Sequence, residues 1–529
     1  MAYALYARAT WPWIVLGWIG LVPWLLVLDG APSLAAALGL GAAMAVAFEL
    51  AVFGWFADSM ATYAGAPPAA MLALLALAAP LLQPQLVTFA AVRYLARRRR
   101  GPAGAALAGA CAYVGTEWAC GKLFADTLGY CLHGSVWMRQ AADVAGAPGL
   151  TLVLVLANEC VRGALRGARA GGTPAARVRG VLAPAAVAAA LVAALLGYGA
   201  LRCRQLARAP ATAAPVTAAI VQANLGHYDR LAAEVGTYQA VRTILDEHFT
   251  LTRGVADTPG LDVVIWPETV YPTTFAAPKS AEGAAFDREI AAFVMASGRP
   301  LIFGSYDVEA GREFNAAFFL TPSTAARLLA MPPGPASRAG QTGLGIYRKR
   351  WLFPLTERVP AWLDSAALRR WLPWLGTWQP GPGAAVVPLL LRDGRLVRVA
   401  PLICYDALAP AHALAEVRAG ADLIVTLSND SWLIGGPGAR LHLLGAAFLS
   451  IETRRPQFRA TPTGISAVID PTGAITAQAG PRDRRVVVGT VVPDVGTRTL
   501  RMAWGEWLGP AATLLAIVLV ALRRRSARR

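Results

Sequence analysis

Three stretches of this chain end in side chains able to do covalent chemistry. Asp262-Val-Val-Ile-Trp-Pro-Glu268 runs as an apolar segment into a proline and then a carboxylate. Tyr347-Arg-Lys349 places an amine ahead of a turn that reaches Pro354 and Glu357. Val399-Ala-Pro-Leu-Ile-Cys404-Tyr405-Asp406 carries a thiol straight off an apolar run. A carboxylate can take a proton as general base. A thiol is a nucleophile once it is ionised. Each group also has an ordinary reading: a solvated loop Glu, a surface Lys among Arg, a Cys buried as a small hydrophobe. Cys404 stands out because the other five cysteines, Cys111, Cys120, Cys131, Cys160 and Cys203, lie in or beside long apolar runs. A single Cys in the polar region leaves that region no internal disulfide.

The elements that must position these groups follow from the pattern around them. Apolar, β-rich runs predict strands at Val216–Gln222, Leu261–Trp266, Pro300–Gly304, Ala316–Leu320, Leu396–Ile403, Asp422–Leu427, Ser466–Ile469 and Val486–Val491. Helical patterns predict Arg230–Leu251, Gly283–Met295, Pro410–Gly420 and Arg440–Arg454. Continuous apolar strands separated by helices imply sheets buried on both faces, an α/β domain over residues 203–506. Pro267 ends the second strand, so Glu268 projects from its C-terminal edge, where α/β sites are usually built. A helix is expected to follow Cys404, its N-terminus favouring a thiolate. Pro332–Gly345, rich in Gly, Pro and Ser, reads as a loop.

The rest of the chain is of another kind. It is 56% hydrophobic and 15% charged, with a mean hydropathy of +0.46, against roughly 25% charged residues in soluble proteins. Seven apolar runs approach the ~20 residues that cross a bilayer: 11–29, 34–57, 68–95, 103–121, 145–162, 181–201 and 507–522. The first has no cationic start or cleavage site and is expected to stay as an anchor. The net charge of +17 would suggest nucleic acid on a soluble protein. Here much of the excess sits in Arg97 to Arg100, Arg162 to Arg179 and Arg523 to Arg529, beside apolar runs. That is the bias that holds Arg and Lys on the cytoplasmic side, so no nucleic-acid partner is expected. With those clusters inside, seven spans alternate and 203–506 lies outside. The expected domains are 1–202 (about six membrane helices), 203–506, and 507–529 (a last helix and basic tail). Five scattered His show no ligand spacing, so no metal or other cofactor is expected.

Taken together, Trp-Pro-Glu268, Tyr-Arg-Lys349 and Ile-Cys404-Tyr405 resemble the three motifs of the nitrilase superfamily of carbon–nitrogen hydrolases, in the same chain order. The whole chain resembles the bacterial apolipoprotein N-acyltransferase family within it. Such a domain stands before a final membrane span, and Glu357 follows Lys349 by eight residues. Ser428-Asn429-Asp430-Ser431-Trp432 continues the pattern, and Arg459–Gly473 resembles the family's late strand pair, with Thr116-Glu117-Trp118 and Gln140–Gly146 in the membrane part. The resemblance implies a polytopic helical membrane domain with an αββα sandwich. It implies Glu268 as base, Lys349 as oxyanion partner and Cys404 as nucleophile, with no cofactor. Glu357, Tyr405 and Asp406 would support them, and Asn429 and Trp432 would contact substrate. The implied partners are a membrane phospholipid as acyl donor and a diacylglyceryl apolipoprotein as acceptor. The implied location is the bacterial inner membrane, multi-pass, with the catalytic domain in the periplasm. The alternative is a membrane-tethered nitrilase-type amidase, or an acyltransferase with another amine acceptor. Asp406 stands where the family has Glu, and Pro354-Leu-Thr-Glu357 where it has Pro-Phe-Gly-Glu.

Overall fold

The computed structural model describes residues 10–124, 126–208, 213–226, 228–332, 343–433, 437–494 and 496–521. The tail 523–529 and most of the Pro332–Gly345 loop lie outside the described residues. The chain forms two compact units: Met1–Ala209 with Thr499–Arg529, and Pro210–Arg498.

The first unit is helical. Leu34–Phe53, Met138–Arg169 and Pro174–Arg208 are each long and apolar enough to cross a membrane. Pro68–Leu82 and Pro84–Ala119 make a fourth candidate, bent by 46° at the break between them. Trp13–Leu28 and Leu508–Ala521 are apolar but shorter. The seven runs of the sequence therefore become helices of unequal length. Pro84 cannot donate to the preceding turn, which breaks the 68–95 run. Gly101, at φ 72°, separates that run from the next inside Pro84–Ala119. Helix Pro174–Arg208 buries only Leu195 and Gly199 and turns Val178, Leu182, Val187 and Leu201 outward. A helix apolar on its exposed face suits a hydrocarbon surround.

Several buried acidic side chains in this unit have polar partners. Asp29 accepts from Arg93 Nη2 at 2.9 Å, Arg162 Nη1 at 2.9 Å and Arg166 Nη1 at 2.6 Å. Glu159 accepts from Arg162 Nε at 2.7 Å and from Arg93. Glu49 accepts from Gln83 at 2.8 Å, and Glu117 from Thr127 at 2.9 Å. Buried charge persists only with such partners.

The second unit is a four-layer αββα sandwich. One six-stranded sheet has the order β12-β1-β2-β3-β4-β5 and the other β11-β10-β9-β8-β7-β6. The strands are β1 (Val216–Gln222), β2 (Val263–Ile265), β3 (Leu301–Glu309), β4 (Arg312–Leu320), β5 (Gly345–Arg348), β6 (Val387–Leu390), β7 (Leu396–Ile403), β8 (Leu423–Leu427), β9 (Gln457–Ala460), β10 (Ala467–Ile469), β11 (Ile475–Gln478) and β12 (Arg485–Val491). Between the sheets Ile220, Ile265 and Phe319 of the first pack with Val399, Leu423, Phe458 and Val468 of the second. Helices Thr237–Arg253 and Ala281–Ser297 cover the outer face of the first sheet, around Trp266, Phe303 and Phe318. Helix Pro410–Arg418 packs on β7, and Pro437–Thr453 on the turn after Cys404.

All eight expected strands are present. The expected helix Arg230–Leu251 is two, Tyr228–Val235 and Thr237–Arg253, divided at Gly236 with φ 84°. Between Cys404 and the helix expected from Pro410 the chain makes a five-residue 3-10 turn, Cys404–Leu408. The α-helix starts only at Pro410, whose ring suits a first helical position.

Candidate active site

Three strand ends meet at one edge of the sandwich. β2 pairs in parallel with β3, Ile265 opposite Ile302, and Trp266 N–H continues the ladder to Ile302 O at 2.8 Å. Pro267 stops the strand, and Glu268 turns into the space above Gly304. A Cβ at Gly304 would lie 2.5 Å from Glu268 Cα, so only glycine lets the two chains approach this closely. β5 pairs with β4, Arg348 opposite Ala316, and Lys349 N–H bonds Asn315 O at 2.8 Å. β7 and β8 run parallel with Ile403 opposite Leu427, so Cys404 and Ser428-Asn429 emerge side by side.

The buried ammonium of Lys349 joins two carboxylates. Its Nζ lies 3.3 Å from Glu268 Oε1 and 2.7 Å from Glu357 Oε1. Asn315 Nδ2 donates to Glu268 Oε1 at 2.7 Å and lies 3.4 Å from Glu357 Oε1. Asn429 N–H donates to Glu268 Oε2 at 2.6 Å, and Phe353 N–H to Glu357 Oε2 at 2.6 Å. Burial would discharge Lys349, but the Glu268 and Glu357 charges outweigh it and hold the ammonium well above its usual range.

Cys404 is buried and has φ 48°, a left-handed conformation that costs a non-glycine residue about 1–3 kcal/mol. Burial, and then the Glu268 charge, push its thiol up, while Lys349 pulls it down. The resting thiol is therefore protonated and needs a base.

Asp406 sits under this turn. Its Oδ1 accepts from Arg350 N–H at 3.2 Å and Trp351 N–H at 2.7 Å. Its Oδ2 accepts from Ile403 N–H at 3.1 Å and Tyr347 O–H at 2.8 Å. The short Asp side chain thereby ties the Lys349 strand to the Cys404 turn. Burial raises it to about 6, the backbone N–H groups and Lys349 opposing. Tyr405 and Trp432 flank Phe353, ring centroids 5.1 Å away in both cases. Asn429, Tyr405, Trp432 and Glu357 are all partly exposed, as the rim of a site must be.

The eight residues singled out in sequence thus occupy one region. Sequence reading missed Asn315, whose only signal is a polar side chain inside the apolar strand β4. It also missed His442 Nε2, 3.1 Å from the Cys404 carbonyl.

Two family models match the chain. Residues 217–499 match the carbon–nitrogen hydrolase model. Residues 2–160 match the apolipoprotein N-acyltransferase N-terminal domain. Among curated relatives, the apolipoprotein N-acyltransferase of Caulobacter vibrioides is 29% identical, covering 77% of this chain and 71% of its own. That of Geobacter metallireducens is 26% identical over 97% of this chain and 92% of its own. Among solved structures, Nit3 of Saccharomyces cerevisiae, a nitrilase-superfamily member, aligns at 17% identity over 53% of this chain and 91% of its own, with a TM-score of 0.35. With its sandwich unit matched from the first strand to the last and an acyltransferase-type helical domain before it, this chain belongs to the carbon–nitrogen hydrolase family.

Proposed function

We propose that this chain is a phospholipid-dependent N-acyltransferase that moves a fatty acyl group through a Cys404 thioester to the α-amine of a diacylglyceryl-cysteine on an apolipoprotein. The observation that carries the reading is the junction of Glu268 and Glu357 on one buried Lys349, beside a buried Cys404 in a left-handed turn. The acceptor class follows from what both curated relatives are named for.

Glu268 takes the Cys404 proton as the sulfur attacks the ester carbonyl of the phospholipid. The Lys349 ammonium and the backbone N–H after Cys404 stabilise the oxyanion. Collapse breaks the C–O bond, and Glu268 returns the proton to the departing lysophospholipid. The acyl-enzyme then meets a neutral α-amine. Its nitrogen attacks the thioester, Glu268 accepts the amine proton, and the leaving thiolate takes it back. An amide forms and the free thiol is restored. Glu357 orients Lys349, and Asp406 holds the two strand ends in register. Asn429, through its backbone N–H, aims Glu268. Trp432, Phe353 and Tyr405 form the apolar wall for the acyl chain.

The apolar helices of the first unit lie in the bacterial inner membrane with Arg97–Arg100 and Arg162–Arg179 on the cytoplasmic side. Residues 203–506 then form the periplasmic catalytic domain, between the membrane domain 1–202 and the terminal helix and tail 507–529. Trp351, Trp362 and Trp371 are 49%, 85% and 78% exposed. They suit the headgroup layer, where both substrates reside.

Intact mass spectrometry of the detergent-purified chain with phosphatidylethanolamine tests this. A fatty-acyl mass on wild type and none on Cys404→Ala supports the reading. No adduct on wild type rejects it.

A further inference from the structure

The Cys404 carbonyl has a partner that acyl transfer itself does not use. His442, on helix Pro437–Thr453, brings Nε2 to 3.1 Å from Cys404 O. A carbonyl only accepts, so Nε2 carries the hydrogen and donates it. The second ring nitrogen, Nδ1, lies 3.0 Å from Asp430 Oδ1 and 3.2 Å from Arg459 Nη2. A neutral ring accepts there from Arg459. A charged ring donates there to Asp430. Both states leave the hydrogen on Nε2, so the ring points its donor at Cys404 whichever way it is protonated.

The frame behind the ring is itself fixed. Asp430 accepts from Arg459 Nη2 at 2.8 Å and Ser428 Oγ at 2.7 Å. Asp430, His442 and Arg459 are all buried. Gly464 has no side chain where a Cβ would stand 2.4 Å from Asp430 Oδ2. The same turn holds Glu268 through the Asn429 N–H. Ser428–Asp430 therefore reaches the carboxylate by one residue and, through His442, the cysteine by the next.

We propose that His442 is the positioning residue of the nucleophile: braced by Asp430 and Arg459, it anchors the Cys404 carbonyl and keeps the left-handed turn that aims the thiol at the acyl carbon and the following N–H at the acyl oxygen. This rests on Cys404 being the acylated residue. Left-handed φ at a non-glycine residue persists only where its surroundings over-determine it, and a side-chain donor on the carbonyl of that very residue does so. Loss of the donor lets Cys404 relax toward ordinary backbone angles and moves Sγ off line.

The test uses full-length wild type, His442→Gln, His442→Asn and His442→Leu in detergent micelles with phosphatidylethanolamine. The fatty-acyl mass on the Cys404 peptide is followed over time and against phospholipid concentration. Gln keeps a terminal N–H donor with a reach like the imidazole's, while its oxygen can accept from Arg459. Asn is one methylene shorter and falls short of the carbonyl. Asn and Leu are expected to lower the maximal acylation rate by about 10²-fold, with the half-saturating phospholipid concentration unchanged. Gln is expected to recover most of the loss. Asn or Leu acylating at the wild-type rate overturns the inference, and so does Gln losing as much as Asn. If Leu fails to fold, the Gln-to-Asn ratio decides alone, and a ratio near one overturns it. Absence of the adduct on wild type itself rejects the functional reading instead, so the two failures are distinct.

Discussion

Asn315 serves Glu268 with its side chain and the neighbouring strand with its backbone. Nδ2 donates to Glu268 Oε1 at 2.7 Å, while the Asn315 carbonyl takes the Lys349 N–H at 2.8 Å. One residue of β4 thus fixes the separation of a carboxylate and an ammonium that lie 81 positions apart in sequence. Asn315→Leu keeps the backbone bond and removes the amide from a buried carboxylate. The expected cost is about 1–3 kcal/mol of stability, read by thermal unfolding, with slower Cys404 acylation. Unchanged stability and rate would remove Asn315 from the account.

Lys349 separates two carboxylates that would otherwise face each other. Lys349→Met leaves the buried Glu268 and the partly exposed Glu357 without their cation. Removing one partner of a buried pair typically costs about 3–5 kcal/mol. Loss of acylation should accompany it. A Lys349→Met protein that melts and acylates like wild type would contradict the site's electrostatics.

Asp406 makes stability and activity respond to pH in opposite directions. Its carboxyl is raised from 3.8 to about 6 by burial, so the folded chain binds the proton more tightly than the unfolded one. The stability it contributes is fully present below the unfolded value and is lost as pH rises from about 4 through about 6. Ionised Asp406 is the form that accepts from Arg350, Trp351 and Ile403, so acylation should rise across the same window. Asp406→Asn should flatten the stability trend between pH 4 and 6 and weaken the hold on the Cys404 turn. Parallel trends in wild type would refute the assignment.

Trp351 and Phe353 lie on the segment that leads from Lys349 to Glu357. Replacing both with Ser should cut turnover of phospholipid in vesicles while sparing a short-chain soluble ester. Equal loss on both substrates would mean that the pair shapes the reacting centre rather than lipid access.

The sequence exposed the strands whose side chains are apolar on both faces. β1 and β7 have the bounds that their Val, Ile, Leu and Ala runs predict. The residue pattern hid β9, which only the family resemblance from Arg459 onward suggested, because Gln457 and Arg459 look solvent-facing, yet both are buried, Gln457 on Thr426 and Arg459 on Asp430. β5 was hidden because Gly345–Arg348 is four residues with a single fully buried side chain, Tyr347. Glu268, Lys349 and Cys404 were legible as motifs, since each ends a readable stretch. Asn315 and His442 were not, because their roles arise from partners 47 and 38 residues away, and a lone polar side chain in an apolar strand does not by itself name a role for Asn315. The 3-10 turn between Cys404 and the helix at Pro410 was not legible, because it is held by Asp406, which accepts from Ile403 and from Trp351, a tertiary demand that the local sequence does not show.

The central claim, transfer from Cys404 to an amine, is tested most directly by discharge. Wild-type acyl-enzyme, freed of phospholipid, is mixed with a diacylglyceryl-cysteinyl peptide bearing either a free or an acetylated α-amine, and both protein and peptide masses are followed. The account predicts that the acyl mass leaves Cys404 and appears on the free-amine peptide alone. Release as free fatty acid at the same rate with either peptide would contradict it and make the chain a hydrolase.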